Sequence, residues 1–181
     1  MDPDDVGAPP GGPSRSSHGW PRLVAEQLEE MTWAAGLLRT LGDTLSGSSA
    51  PVARAVGTTL ARHSEKLGAI QKGPMLRVQR LVEEASSRSL RREEWQFVGE
   101  ALRAAGQVMR NVAAQAAEAA RRMPTLEGEL RLAPGEILHL SHVVEERGGQ
   151  MRRLGDRLLA FTEGELLLLS STFVARRKTS P

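Results

Sequence analysis

The amino-acid sequence predicts an all-α fold, an antiparallel bundle of five or six helices. Long parts of the chain repeat apolar residues at the helical spacing of three and four positions. The composition favours helix formers such as Ala, Leu, Arg and Glu, whereas Tyr is absent and Phe and Trp occur only three times each. With 181 residues, the chain is long enough to bury a core within one domain.

The first three helices are predicted from apolar periodicity and from proline and glycine. The first runs from Trp20 to about Leu45. The second begins at Pro51, because proline is tolerated in a first helical turn, and His63 lies in phase with its apolar stripe. Gly73-Pro74 is expected to stop it. A shorter third helix follows with four apolar residues in phase: Met75, Val78, Val82 and Ala85.

The fourth helix carries a strict three-and-four alternation of apolar residues. These are Trp95, Val98, Leu102, Ala105, Met109, Val112, Ala116, Ala119 and Met123. Most of them are small, so this face can approach a neighbouring helix closely. Four polar residues lie off the stripe towards water: Arg103, Arg110, Gln115 and Glu118. Ser89 is the predicted N-cap, with Glu93 and Glu94 near the positive end of the helix, and Met123-Pro124 closes it.

The fifth helix is predicted to follow Pro134-Gly135. Seven apolar residues lie in phase along it: Ile137, Leu140, Val144, Met151, Leu154, Leu158 and Phe161. Gly148-Gly149 interrupts this pattern. Two adjacent glycines lower helix propensity by about 2 kcal/mol relative to alanine, so we expect a kink or a split there.

Both ends of the chain differ from the bundle domain, which is predicted over residues 20–175. Residues 1–19 consist mainly of Pro, Gly, Ser and Asp and are predicted to form a disordered arm. Leu166 to Val174 is an apolar run, too short to cross a bilayer, and is predicted to be the last core helix. A basic tail, residues 176–181, follows it. An interfacial membrane anchor over Leu166 to Lys178 is therefore the alternative.

Cysteine content and charge narrow the functional class. Cys is absent, which excludes disulfides and thiolate metal sites and fits the cytoplasmic location that we expect. No secretory signal is recognised at the amino end. Lys and Arg number 24 against 22 Asp and Glu, and the arginines are scattered among glutamates. We therefore expect solvated i,i+4 pairs and no nucleic-acid partner.

Trp20, Trp33 and Trp95 lie far apart in sequence and are predicted to anchor packing.

The candidate metal ligands are Glu136, His139, His142 and Glu146. Glu136 shares a helix face with His139, and His142 shares one with Glu146. Glu-x-x-His is half of the ligand set of di-iron bundles, which need a second such pair from a facing helix, and the sequence offers none. The four residues are equally a polar flank beside the apolar stripe. We therefore assign no catalytic, cofactor-binding or metal-binding residue, and a metal-binding bundle remains an alternative.

The segment SLRREEWQFVGEALRAAGQVMRNVAAQAAEAARRM, residues 89–123, resembles the long helix of the PhoU-like bundles associated with phosphate transporters, and the similarity of helix order extends over about residues 30–159. The metal clusters of that family depend on carboxylates repeated along two helices. The corresponding segments here contain only Glu65 and Glu100, so no ligand residue is transferred. The resemblance implies a bundle that has lost the metal chemistry and kept its packing surface.

These observations predict a non-enzymatic helical adaptor or regulator that acts through helix–helix contacts with a protein partner or with its own copy. The resemblance implies a divergent PhoU-like regulator of a transporter. No cofactor is expected. Small residues would admit the side chains of the partner: Ala105, Gly106, Ala116 and Ala119. A metal-binding bundle and a peripheral membrane protein anchored by its C-terminal segment are the alternatives.

Overall fold

The computed structural model describes residues 19–85, 87–123 and 133–160. They form five α-helices and one π-helical turn, and no strand occurs within these ranges. The elements are α1 (Trp20–Ser46), α2 (Pro51–Ile70), the π turn (Gln71–Met75), α3 (Leu76–Glu84), α4 (Arg92–Arg121) and α5 (Ala133–Ala160). The predicted all-α class is confirmed, as are the predicted starts of the first two helices at Trp20 and Pro51.

The expected stop at Gly73-Pro74 is a bend rather than an end. Helix α2 continues through the π turn into α3, and Gly73 absorbs the change of direction with φ −99° and ψ −105°. The described residues therefore make four rods, and a count of five or six helices in one bundle is not confirmed. The predicted last core helix at Leu166 to Val174 lies outside the described residues, as do residues 1–18 and the basic tail.

Helices α4 and α5 are antiparallel and touch backbone to backbone. A methyl group placed on Gly106 would lie 2.5 Å from the carbonyl oxygen of Gly148, and one placed on Gly155 would lie 2.6 Å from that of Gly99. Both pairs repeat at an interval of seven residues, which keeps them on one face of each helix. Because these four positions have no side chains, the two helices approach each other closely.

Helices α1 and α2 form a second antiparallel hairpin by the same means. Gly42 faces Gly57, where a methyl group on Gly57 would lie 2.7 Å from the carbonyl oxygen of Gly42. One heptad away, the buried Ser64 hydroxyl donates a hydrogen bond of 2.8 Å to the carbonyl oxygen of Ala35. This bond satisfies the Ser64 hydroxyl inside the interface.

The predicted kink at Gly148-Gly149 is wrong, because α5 is continuous from Ala133 to Ala160. Gly148 is buried against the backbone of Gly106 and the side chain of Met109. The weak helix propensity of glycine is thus outweighed by a tertiary contact that only glycine permits at this spacing.

Larger side chains join the two hairpins. Trp20 at the start of α1 meets Trp95 at the start of α4 edge to face, with ring centroids 4.2 Å apart. The predicted stripe of α4 is confirmed as core, since its members are buried apart from the half-buried Ala119.

Helices α1 and α5 are also joined at the surface of the protein. There, Arg147 of α5 forms an ion pair with Glu30 of α1 at 3.5 Å.

The predicted N-cap of α4 at Ser89 is wrong, because the N-cap residue is Arg91. The Glu94 carboxylate accepts a hydrogen bond of 2.7 Å from the Arg91 backbone N–H. Arg88 donates to both oxygens of the same carboxylate and also binds Glu84 at the end of α3. The Arg88 guanidinium lowers the pKa of Glu94 to about 2, and the Arg91 N–H adds to this effect. These charges secure the turn between α3 and α4.

A pair of glycine substitutions tests the close packing. Gly106→Ala should lower the free energy of unfolding by roughly 2 kcal/mol or more, because its methyl group has to displace the backbone of α5. Gly36→Ala is the matched control, since nothing lies within 4 Å of a methyl group at this exposed helical position. It should raise stability by about 0.5–1 kcal/mol. Urea unfolding of both variants measures the difference, and equal stabilities would contradict the proposed packing.

Candidate partner-binding surface

The outer face of α1 carries an exposed tryptophan. Trp33 keeps 45% of its surface accessible, the largest value among the exposed large apolar residues of the described ranges. This corrects the prediction that all three tryptophans anchor packing, which holds only for Trp20 and Trp95. An indole ring exposed on a helix is a typical anchor for a protein partner.

Trp33 lies in a groove between α1 and α5, which we call the Trp33 groove. Its volume is about 370 Å³, and it is lined by Glu29, Glu30, Trp33, Val143 and Arg147. Trp33 and Val143 supply apolar surface, while the Glu30–Arg147 ion pair lies beside them. An apolar centre with charged residues around it is the usual pattern of a protein interface.

A second groove lies on the other side of α1, between α1 and α3, and we call it the α3 groove. Four apolar residues form its floor: Ala25, Leu28, Met75 and Val82. Two carboxylates, Glu29 and Glu83, belong to its lining, and Gln71 donates a hydrogen bond to the Thr32 hydroxyl within it. The volume is about 260 Å³. Glu29 therefore stands on the ridge between the two grooves.

The small residues predicted to receive a partner are covered by this chain itself. Gly106 contacts Gly148 and the backbone of Arg152, while Ala105 and Ala116 are buried and Ala119 is half-buried. The expectation that they admit the side chains of another molecule is thus wrong in the folded chain. Their small size serves the intramolecular contacts of α4, above all those with α5.

The candidate metal ligands Glu136, His139, His142 and Glu146 are all exposed on α5. Glu146 accepts a hydrogen bond from Gln150 at 3.2 Å. Among the described residues, no group of three or more His, Asp or Glu side chains comes together in a way that could hold a metal ion. Within the described ranges, therefore, no facing helix supplies a ligand that would complete the half-set.

Surface charge follows the predicted i,i+4 pattern. Ion pairs at this spacing join Arg22 to Glu26, Arg39 to Asp43, Arg122 to Glu118 and Arg152 to Asp156. The cations are thereby distributed over α1, α4 and α5 beside anions, rather than gathered on one face. In the part of the chain that the structure covers, no helix has the length and apolar character that a membrane crossing needs.

In comparison with known proteins, no family model, curated protein or solved structure matches the chain. The resemblance to the PhoU-like bundles accordingly stays a prediction.

His63 was predicted to lie at the core edge, and it is buried on α2 with 7% of its surface accessible. Its Nε2 atom has no hydrogen-bond partner among the described residues. Burial lowers the pKa of the imidazole, and the cations of Lys66 and Arg62 lower it further. Burial and the two cations therefore favour the neutral form of His63.

The buried His63 makes stability depend on pH. Its pKa is lower in the folded state than in the unfolded state, so its contribution is complete above about pH 6.5 and is lost as the pH falls below that value. The slope for one proton is at most about 1.4 kcal/mol per pH unit. We expect His63→Leu to weaken the fall in stability between pH 7 and pH 5, measured by urea unfolding. His139→Leu, at an exposed position, is the control and should leave the slope unchanged.

Proposed function

We propose that this protein is a non-enzymatic helical adaptor or regulator and that it binds a protein partner through the Trp33 groove. The observation that carries this proposal is the exposure of the Trp33 indole in a groove between two helices. Water contact over nearly half of such a large apolar side chain is unfavourable, and burial against a partner removes it.

The shape of the groove favours a helical partner. A groove between two helices, here α1 and α5, suits an amphipathic helix, which inserts apolar side chains at a spacing of three and four residues. Glu30 is paired with Arg147, whereas Glu29 has no ion-pair partner among the described residues. We therefore propose a partner helix with an apolar stripe and a basic residue placed to meet Glu29.

The resemblance to the PhoU-like bundles narrows the proposal to a partner belonging to a membrane transporter. Four long rods in antiparallel hairpins are compatible with it, and they are equally compatible with other helical regulators. Self-association through the same groove is the competing outcome, because a second copy presents the same Trp33.

Photo-crosslinking tests this proposal directly. A benzophenone amino acid at position 33, in cells that produce the protein naturally, should capture one partner protein, whereas the same amino acid at the exposed Gln115 on α4 should not. With the partner isolated, Trp33→Glu should raise Kd about 30-fold, corresponding to about 2 kcal/mol for an anchoring aromatic residue. Gln115→Glu should leave Kd unchanged.

The outcomes separate the hypotheses. A transporter component captured at position 33 supports the narrower proposal, and an unrelated protein supports only the adaptor. Capture of the chain itself, with a dimer in light scattering that Trp33→Glu dissolves, establishes self-association instead. Equal capture from positions 33 and 115 contradicts a role for the groove.

A further inference from the structure

We propose that two copies of this chain pair through the outer surface of α5, in antiparallel orientation, with the two α5 helices meeting at Gly149. The residues that carry this inference form the Gly149 face: Glu145, Glu146, Gly149, Arg152 and Arg153. This face borders α4, whereas the Trp33 groove receives Val143 and Arg147 from the side of α5 that borders α1. The inference therefore stands whether or not Trp33 binds another protein.

Gly149 occupies a position where the fold of the single chain leaves room for a side chain. Its neighbour Gly148 packs on the backbone of Gly106, where a methyl group has no space. A methyl group on Gly149, in contrast, would meet only the end of the Arg153 side chain among the described residues, 3.4 Å from Nη1. Glycine is one of the least favourable residues inside a helix. Packing within the chain explains Gly148 but not Gly149.

Gly149 opens a cleft on the surface of the protein. The cleft lies between α4 and α5, has a volume of about 480 Å³ and is bordered on the α4 side by Arg110. The intramolecular contacts at Gly106 and Gly148 show what such a position permits, because helices without side chains at the contact approach each other backbone to backbone. A second helix can approach α5 in the same way at Gly149.

The charges around Gly149 follow a definite order along the helix. Glu145 and Glu146 lie four and three residues before Gly149, and Arg152 and Arg153 lie three and four residues after it. These spacings place all four side chains on the helix face of Gly149. The face is therefore acidic on one side of Gly149 and basic on the other, at equal distances.

A two-fold axis at Gly149 makes this face complementary to itself. In an antiparallel pair, the part of α5 before Gly149 faces the part after Gly149 in the other copy. The two glutamates of each copy then lie opposite the two arginines of its partner, and the symmetry repeats this cluster. A parallel pair would place like charges together, so the charge order also selects the orientation.

Two members of the face are available for such contacts. Glu145 and Arg153 are exposed, and neither forms an ion pair within the described ranges. The residue four positions after Glu145 and four positions before Arg153 is the same one, Gly149, so the usual i,i+4 partner is missing for both. Arg152 is partly engaged, because it contacts Asp156 at 3.9 Å and donates a hydrogen bond to Gln107.

The balance of charge favours a second copy over a partner of one charge sign. Three arginines and three carboxylates line the cleft in the part of the chain that the structure describes. A nucleic acid or an acidic peptide would meet the carboxylates, and a basic peptide would meet the guanidinium groups. A surface that carries both signs in opposite order about one point is matched best by its own copy.

Charge reversal at the two unpaired residues tests this pairing. Glu145→Arg converts each cluster into three arginines and one glutamate, and Arg153→Glu converts it into three glutamates and one arginine. Either change alone should raise the Kd of the dimer at least about tenfold, because the two-fold axis repeats the repulsion at two places. Sedimentation equilibrium measures Kd, and circular dichroism verifies that each variant is folded.

Two combinations should restore the dimer. An equimolar mixture of the Glu145→Arg and Arg153→Glu chains should form a heterodimer in native mass spectrometry, since both of its clusters are neutral. A single chain with both substitutions should form a homodimer with a Kd close to that of the natural sequence. Glu65→Arg, at an exposed position on α2, makes the same change of net charge as Glu145→Arg and should leave Kd unchanged.

A side chain at Gly149 tests the close approach of the two helices. Gly149→Gln should raise Kd at least about tenfold while the monomer stays folded, because the added side chain occupies the contact between copies. Gly68→Gln is the matched control and should leave Kd unchanged. Both glycines are half-buried inside long helices, and nothing lies within 4 Å of a methyl group at Gly68.

Three results would overturn the proposal. A natural chain that stays monomeric throughout the concentration range would show that the Gly149 face remains in contact with water. Equal effects of Glu145→Arg and Glu65→Arg would assign the change in Kd to net charge. A dimer that tolerates Glu145→Arg and Gly149→Gln but is dissolved by Trp33→Glu would assign self-association to the Trp33 groove.

Discussion

The arrangement of this protein depends on the close approach of antiparallel helices at glycine. At Gly106 and Gly148 there is no room for a single methyl group between α4 and α5. Close approach increases the number of backbone and Cβ atoms in van der Waals contact and aligns each helix along the full length of its neighbour. The same constraint at Gly42 and Gly57 fixes α1 against α2. The result is two closely packed hairpins, α1 with α2 and α4 with α5.

The grooves follow from the way these hairpins meet. Within each hairpin the helices are in intimate contact, whereas between hairpins larger side chains such as Trp20 and Trp95 separate the backbones. Helix α1 consequently has a groove on each side, one towards α5 and one towards α3. The π turn contributes as well, because the bend at Gly73 sets the direction of α3 along α1. The candidate interaction surfaces are thus consequences of the packing rather than separate motifs.

Residue patterns reveal these surfaces only in part. Trp33 lies out of phase with the buried Met31 and Leu38 of α1, so helical periodicity bears on its exposure, whereas the groove beside it forms only when α5 packs on α1. Gly106 shows the opposite case, since this small residue suggests an open surface but is packed against the backbone of α5. A signal for that contact was present, because Gly99 and Gly106 are spaced by seven residues and so are Gly148 and Gly155. Matching these two repeats in antiparallel register would have placed α5 on α4.

Local rules in the sequence determined the helical class, the helix starts at Trp20 and Pro51, and the buried stripe from Trp95 to Met123, because periodicity and proline act over a few residues. Tertiary structure alone decided that α5 runs unbroken through Gly148-Gly149 and that α2 continues past Gly73-Pro74. In each case the deciding free energy comes from residues distant in sequence, whose positions are set only when the hairpins pack.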